Sequence, residues 1–344
     1  MMTPWEQLAE TLGAWAEARP YLAYIYDEQE MRLLLAMRGR AVTVEQAAGL
    51  LGISPESAAA LLQRALSRHV VDRETENGIV VYSQGAFGAR VDHCAKYDAR
   101  WDDIPLDDRR AIDRRFLDEF IAKHRANVER KMQGPEAENA LPNDTVMLLG
   151  EVEGMIEAAE HVAVQPCDCR RLGQYCERPV ETCIWLDDGA LEALERGYGR
   201  RLSKEQAIDL VRRADKAGLM HTADSEWRER GLHAICNCCA CDCYPFRAAQ
   251  ELGSKGAWPK SRYVAVYDRE RCNLCGACVR RCHFEAFYHD GSTVEIDGKE
   301  KNEVRYESER CWGCGLCANT CQSGAIVMES LAHGSRVGAA QDRA

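Results

Sequence analysis

Two cysteine runs near the carboxyl end share one cadence. Cys272-x2-Cys275-x2-Cys278-x3-Cys282 is followed by Cys311-x2-Cys314-x2-Cys317-x3-Cys321. Three thiolates offered by a tight loop can hold three corners of one iron-sulfur cube, while the fourth, farther along the chain, points away and completes the other cube. The spacing therefore assigns Cys272, Cys275, Cys278 and Cys321 to one 4Fe-4S cluster, and Cys311, Cys314, Cys317 and Cys282 to a second. Gly276, Gly313 and Gly315 suit loops that wrap closely and visit positive φ. A pair of zinc ribbons would also use Cys-x2-Cys, but zinc takes four ligands in all. Two runs of four at one cadence fit cubes better.

Nine more thiols stand in two bursts, Cys167-x-Cys169-x6-Cys176-x6-Cys183 and Cys236-x-Cys238-Cys239-x-Cys241-x-Cys243. On an extended backbone Cys236 and Cys238 face one side, and Cys239, Cys241 and Cys243 the other, so this segment could serve two centres. The nine suffice for two further clusters, for one cluster plus a zinc, or for a zinc knuckle with reduced spectators. We expect at least one additional cluster with ligands from both bursts. Cys94 stands alone beside His93, and a lone cysteine reads as a small buried apolar side chain.

With these residues in view, residues 262–329 resemble a bacterial-type two-cluster ferredoxin domain, short strands bracketing the cluster loops. The match departs from that pattern after each fourth cysteine, where proline usually stands and this chain has His283 and Gln322. Residues 290–307 read as an inserted hairpin turning at Asp297-Gly298. The ring N–H of His283 could donate to a sulfur near Cys282 and raise that cluster's potential, or the residue could simply replace a helix-starting proline at the surface. The wider combination of a PCxCR segment, a CNCCxCxC segment and a dicluster tail resembles a family of cysteine-rich iron-sulfur proteins of anaerobic bacteria and archaea.

The chain that must position these thiols has 344 residues, 18 of them cysteine, with 44 Lys plus Arg against 55 Asp plus Glu and a formal charge of −11. That balance argues against a nucleic-acid coat or a polybasic membrane binder. Glu6, Glu10 and Glu17 interrupt any secretory start, and no stretch is long and apolar enough for a span. A cytoplasmic location is expected, where thiols stay reduced and crowded cysteines read as metal ligands.

The expected architecture is an α+β multidomain chain. It comprises an N-terminal helix plus winged-helix-like docking domain (1–100), a helical connector (101–160), a cysteine-rich metal domain (161–260), the two-cluster domain (261–330) and a flexible tail (331–344). Trp5, Leu8, Leu12 and Trp15 recur at helical spacing and form a core or dimer stripe. Residues 28–37, 43–51 and 55–69 read as three helices, followed by a hairpin around Asn77-Gly78 that would be the wing. Residues 27–90 hold seven arginines, no lysine and eight acids, and the third helix opens PESAAALL. Phosphate neutralisation carries most non-specific DNA affinity, so a docking or homodimerising module is expected rather than a DNA reader. Residues 107–132 read as one long helix, residues 142–159 as another, residues 161–165 as a strand, and residues 204–217 as a helix begun by a Ser203/Gln206 capping box.

No Gly-x-Gly-x-x-Gly follows a strand, no P-loop appears, and no Cys-x3-Cys-x2-Cys marks a radical enzyme. The chain stores and passes electrons on this reading without a substrate site of its own. The expected function is relay of single low-potential electrons to or from a partner flavin, corrinoid or molybdenum oxidoreductase. The alternatives are a redox-sensing winged-helix regulator, and a subunit or reductive activator with a substrate-binding cluster.

Overall fold

The structure is a computed structural model that describes residues 2–134, 141, 144–224, 227–231, 233–296, 298–331 and 336–337, with the backbone alone for 229, 230, 336 and 337. The chain divides into two compact units. The first holds residues 1–119, 167–174 and 195–198; the second holds 120–166, 175–194 and 199–344. Helix and strand occur in both, the first being mostly helical with one hairpin. No helix of the described residues is long and apolar enough to cross a membrane.

In the first unit the helix Pro4–Leu12 starts at a Thr3/Glu6 capping box and stops at Gly13, whose φ of +60° ends it. Trp15 therefore lies beyond the helix rather than on its stripe. Its ring packs edge-on against Phe87 and Phe116, and its Nε1 donates to Glu119 at 2.6 Å. Leu8, Leu12 and Trp15 are all buried in this unit's own core. The three helices expected next are present as Glu28–Met37, Val44–Leu51 and Pro55–Ser67, each opened by a side-chain cap from Asp27, Thr43 or Ser54. Strands β1 (Val71–Glu76) and β2 (Ile79–Gln84) pair antiparallel through a turn at Asn77-Gly78, both with positive φ. Val42 adds an antiparallel bridge to Tyr82. Cys94, in the helix Phe87–Tyr97, is fully buried with its Sγ 3.6 Å from the Tyr24 carbonyl, and burial pushes its pKa up to about 11.

In the second unit six strands form one antiparallel sheet in the order β3-β7-β8-β5-β4-β6, namely β3 Thr145–Met147, β4 Val162–Pro166, β5 Glu181–Leu186, β6 Arg200–Arg201, β7 Met220–Ala223 and β8 Ala234–Cys238. The helix expected over 142–159 begins only at Leu149, because Thr145, Val146 and Met147 are buried against β7 as an edge strand; Pro142 and Asn143 lie outside the described residues. The helices Leu149–Ala158 and Lys204–Lys216 cover one face, burying Val152, Ile156, Val211, Ile184 and Ile235 together. The Ser203/Gln206 capping box is present.

The carboxyl-terminal segment builds on this sheet. Strand β9 (Tyr263–Tyr267) pairs antiparallel with β14 (Ile326–Ser330), while β10 (Phe287–Tyr288) pairs with β13 (Arg305–Tyr306). The inserted hairpin is β11 (Thr293–Ile296) with β12 (Lys299–Asn302); Asp297 of its turn lies outside the described residues, as does most of the 331–344 tail. The Val146 N–H donates to the Lys260 carbonyl, and Arg262 ion-pairs Glu151 at 2.7 Å, so the segment enters alongside β3.

Truncating Ile156→Ala at the centre of the sheet core should cost about 2–5 kcal/mol by urea unfolding. A second expectation concerns His69 and His93, whose rings cluster with Tyr97 and Tyr198. Burial, reinforced by nearby Arg90 and Lys96, holds His69 down to about 4 and His93 down to about 2. Both folded values lie below the ordinary histidine value of about 6.5, so the unfolded chain binds the extra protons. Their contribution to stability is full above pH 6.5 and falls as pH drops from there, towards 4 for His69 and towards 2 for His93. His69→Gln should flatten that slope in chemical melts followed across this window.

Candidate metal centres

The two quartets fold as loops that each lead into a short helix. The helix Ala277–Arg281 starts from Gly276 and the helix Leu316–Thr320 from Gly315, both glycines in the left-handed region. Cys278 and Cys317 ride on these helices, whereas Cys282 and Cys321 cap their ends and turn away. Burial and neighbouring thiols raise three of the eight. Burial, then Cys272, Cys275 and Cys321, push Cys278 up to about 12. Burial, then Cys311 and Cys282, push Cys314 up to about 12, and burial, then Cys314, Cys311, Cys282 and Cys278, raise Cys317 well above an ordinary thiol. Cys282, Cys311, Cys314 and Cys317 line one cavity, closed by Phe287 and Leu316. Backbone N–H groups of Leu274, Ala286 and Gly313 lie 3.2–3.4 Å from the sulfurs of Cys272, Cys282 and Cys311. Such donors stabilise negative sulfur.

All eight thiols are unpaired, with no disulfide among them. Protonated thiols crowded into apolar surroundings have little to gain from one another, and ionised ones repel. A positively charged inorganic centre removes both difficulties, since a coordinating thiol is deprotonated outright. The donor set and the thiol-lined cavity therefore fit soft-metal or iron-sulfur ligation.

His283 takes a part that neither sequence reading anticipated. It is half-buried, and its Nε2 donates to the Gly218 carbonyl at 2.6 Å, tying the end of a cluster loop to the turn after the helix Lys204–Lys216. Asp215 at the end of that helix does the same for both loops. Its carboxylate accepts from Arg281 at 3.1 Å and from Asn319 at 2.7 Å while only 4% exposed. No motif marks Asp215, because its partners lie 66 and 104 residues away in the chain.

The middle thiols separate into sets. The Ile184↔Ile235 pairing of β5 with β8 sets Cys183 beside Cys236, and the two thiols are hydrogen-bonded. That bond lowers the Cys236 pKa, but Cys238 and burial outweigh it and leave the value well above the ordinary one. Cys243 lies 3.2 Å from Cys238, sulfur to sulfur. Cys183, Cys236, Cys238 and Cys243 thus form one four-thiol neighbourhood. Extended alternation would have put Cys243 with Cys239 and Cys241; it does not, because β8 ends at Cys238 and the chain turns before the helix Tyr244–Leu252.

Cys176 meets Cys239 and Cys241 instead, joined by Asp242, a residue that cysteine spacing alone overlooks. Cys176 is raised by burial first and then by Cys239; Cys241 is raised by its hydrogen bond with Cys239 and by burial. Cys167 and Cys169 belong to the first unit, on either side of Asp168 at the start of the helix Asp168–Gly173. Burial, with Asp92 nearby, pushes Asp168 up to about 7.

One apolar block separates the four-thiol neighbourhood from the Cys314 side of the second quartet. Phe284 stacks on Trp312 with centroids 4.4 Å apart, and Phe246 packs against both at 5.8 and 5.4 Å. Cys238, Cys243 and Cys314 touch this same cluster.

Compared with known families, residues 271–325 match the family model of a 4Fe-4S dicluster domain. The chain therefore carries a ferredoxin-like iron-sulfur segment at its carboxyl end. No curated protein and no solved structure matches the chain.

Gly313 is the loop position least able to change. Its φ is +71°, and a Cβ there would stand 2.2 Å from the Tyr263 carbonyl oxygen. Gly298 has the same φ with open space around it. Gly313→Ala should strip iron from the Cys311 loop, whereas Gly298→Ala should cost only about 1 kcal/mol with iron content unchanged, as anaerobic iron assay and melting will read.

Proposed function

We propose that this protein relays single electrons between a partner oxidoreductase and its own chain of iron-sulfur centres. The observation that carries the reading is the cavity lined by Cys282, Cys311, Cys314 and Cys317, in which the outlying cysteine of the first run joins three of the second. Cys272, Cys275, Cys278 and Cys321 would hold the other cluster of the pair. When bound, each cluster takes up and releases one electron with no change of ligands.

The chain's own residues set the terms of that exchange. Backbone N–H groups aimed at Cys272, Cys282 and Cys311 favour the more negative, reduced form. Leu274, Phe287 and Ala318 pack around the thiols, and Leu316 lines the cavity, excluding water. Asp215 and His283 hold the two loops to the helix Lys204–Lys216 and the turn after it, so ligand spacing is kept rigid.

Cys183, Cys236, Cys238 and Cys243 would hold a third centre. The block of Phe246, Phe284 and Trp312 then forms the medium between it and the second quartet. Residues 28–84 would serve as a winged-helix docking module: three capped helices, a hairpin and the Val42 bridge support that arrangement. With seven arginines, no lysine and eight acids over residues 27–90, its surface suits a protein partner better than DNA. A flavin, corrinoid or molybdenum oxidoreductase fits as the electron-exchanging partner.

The crossed ligand assignment gives a direct test. Cys282→Ser should remove or alter the cluster of the second run, and Cys321→Ser the cluster of the first. Iron and sulfide assays with EPR of the reduced variants will tell them apart. Loss of the neighbouring cluster within each mutated run instead would contradict the assignment.

A further inference from the structure

Outside the quartets one cluster of side chains stands apart by its composition and its spacing. The Sγ atoms of Cys176, Cys239 and Cys241 and a carboxylate oxygen of Asp242 all lie within 4.8 Å of one another. Oδ2 of Asp242 is the meeting point, 3.2 Å from Cys176 Sγ, 3.3 Å from Cys239 Sγ and 3.2 Å from Cys241 Sγ. The Cys176 and Cys239 sulfurs are 3.8 Å apart. Oδ1 of Asp242 is taken up by the Tyr175 N–H at 2.9 Å, which fixes the carboxylate's orientation and leaves Oδ2 to the thiols. Asp242 is fully buried and Cys239 is 1% exposed.

The 3.8 Å between the Cys176 and Cys239 sulfurs equals the edge of a tetrahedron around a single ion, and the sulfur–oxygen separations of 3.2–3.3 Å are slightly shorter than such an edge. With zinc–sulfur bonds of about 2.3 Å and zinc–oxygen bonds of about 2.1 Å, tetrahedral geometry spaces two sulfurs by about 3.8 Å and a sulfur from an oxygen by about 3.6 Å. Thiolates on four corners of a cube each bind a different iron and stand farther apart. Without a cation three thiol S–H groups must share the single Oδ2 atom, which has lone pairs for about two donors. With a divalent cation at the centre, every one of those groups becomes a ligand. Soft thiolates with one harder oxygen are a donor set that borderline-soft zinc accepts.

We propose that Cys176, Cys239, Cys241 and Asp242 bind one zinc-type divalent ion, separate from the iron-sulfur centres. All four coordination positions come from the protein, as in a structural site. Binding displaces three thiol protons and forms three metal–sulfur bonds and one metal–oxygen bond, with no electron transferred. Three of the four ligands lie between Cys238 and Cys243 in the chain, so the ion pins the turn that joins two thiols of the neighbouring four-thiol set to the returning Cys176. This inference does not depend on the electron-relay reading.

The test is metal analysis of the full-length protein purified without oxygen and without chelators. Wild-type protein is expected to hold one zinc per chain besides its iron and labile sulfide. Cys239→Ser should lose the zinc and keep the iron and sulfide of the two quartets, while Cys243→Ser should keep the zinc. Asp242→Asn and a cobalt(II) titration of zinc-depleted wild-type chain supply readings independent of any folding defect in Cys239→Ser. Cobalt should develop thiolate charge-transfer absorption. Loss of an outer partner alone weakens metal binding by about 10–100-fold, so Asp242→Asn should weaken cobalt binding by at least 10-fold. Absence of zinc from the wild type, loss of a cluster's iron and sulfide in Asp242→Asn, or cobalt binding unchanged in that variant would overturn the proposal.

Discussion

Buried sulfurs of like charge repel, and this chain crowds its sulfurs into water-poor pockets. Cys278, Cys314 and Cys317 are all driven well above an ordinary thiol by burial and by the sulfurs around them. Without positive charge at their centre such groupings would be held protonated, and the packing that presses them together would gain little from it. The rest of the second unit follows from that requirement. Glycines turn the loops, short helices aim the thiols, and Asp215 and His283 tie both loops to the helix Lys204–Lys216 and the turn after it.

The sheet does for the middle thiols what the loops do for the quartets, by register instead of by turn. Pairing of β5 with β8 sets Cys183 beside Cys236 from more than 50 residues away, and the alternation of β8 keeps Cys236 and Cys238 on the face opposite Ile235. The helices Leu149–Ala158 and Lys204–Lys216 cover the Ile235 face, so the sulfur-bearing face is free to meet Phe246, Trp312 and Phe284. One sheet thereby separates a structural core from a chemical one.

What was legible in the sequence was what is local. The quartets announce themselves because their ligands are set by turns of a few residues, and the Ser203/Gln206 cap is an equally local pair of hydrogen bonds. The hairpin at Asn77-Gly78 is readable for the same reason, as only such residues take two positive φ values cheaply. Long-range choices were hidden. Asp242 looked like a spacer between cysteines, and only the return of Cys176 gives it a role. Cys243 changed sides because a strand ended five residues before it. Asp215 joins partners that no periodicity connects. Nothing in the first burst shows that Cys167 and Cys169 belong to one compact unit and Cys176 and Cys183 to the other.

The central claim is that the two carboxyl-terminal quartets hold iron-sulfur clusters that exchange single electrons. EPR-monitored redox titration of the anaerobically purified full-length protein, with iron and acid-labile sulfide counted on the same sample, tests it most directly. The account predicts about eight or more iron atoms per chain with matching sulfide, and paramagnetic signals that appear and vanish reversibly at low potential. A colourless, sulfide-free protein with zinc in those quartets, silent throughout the titration, would contradict it.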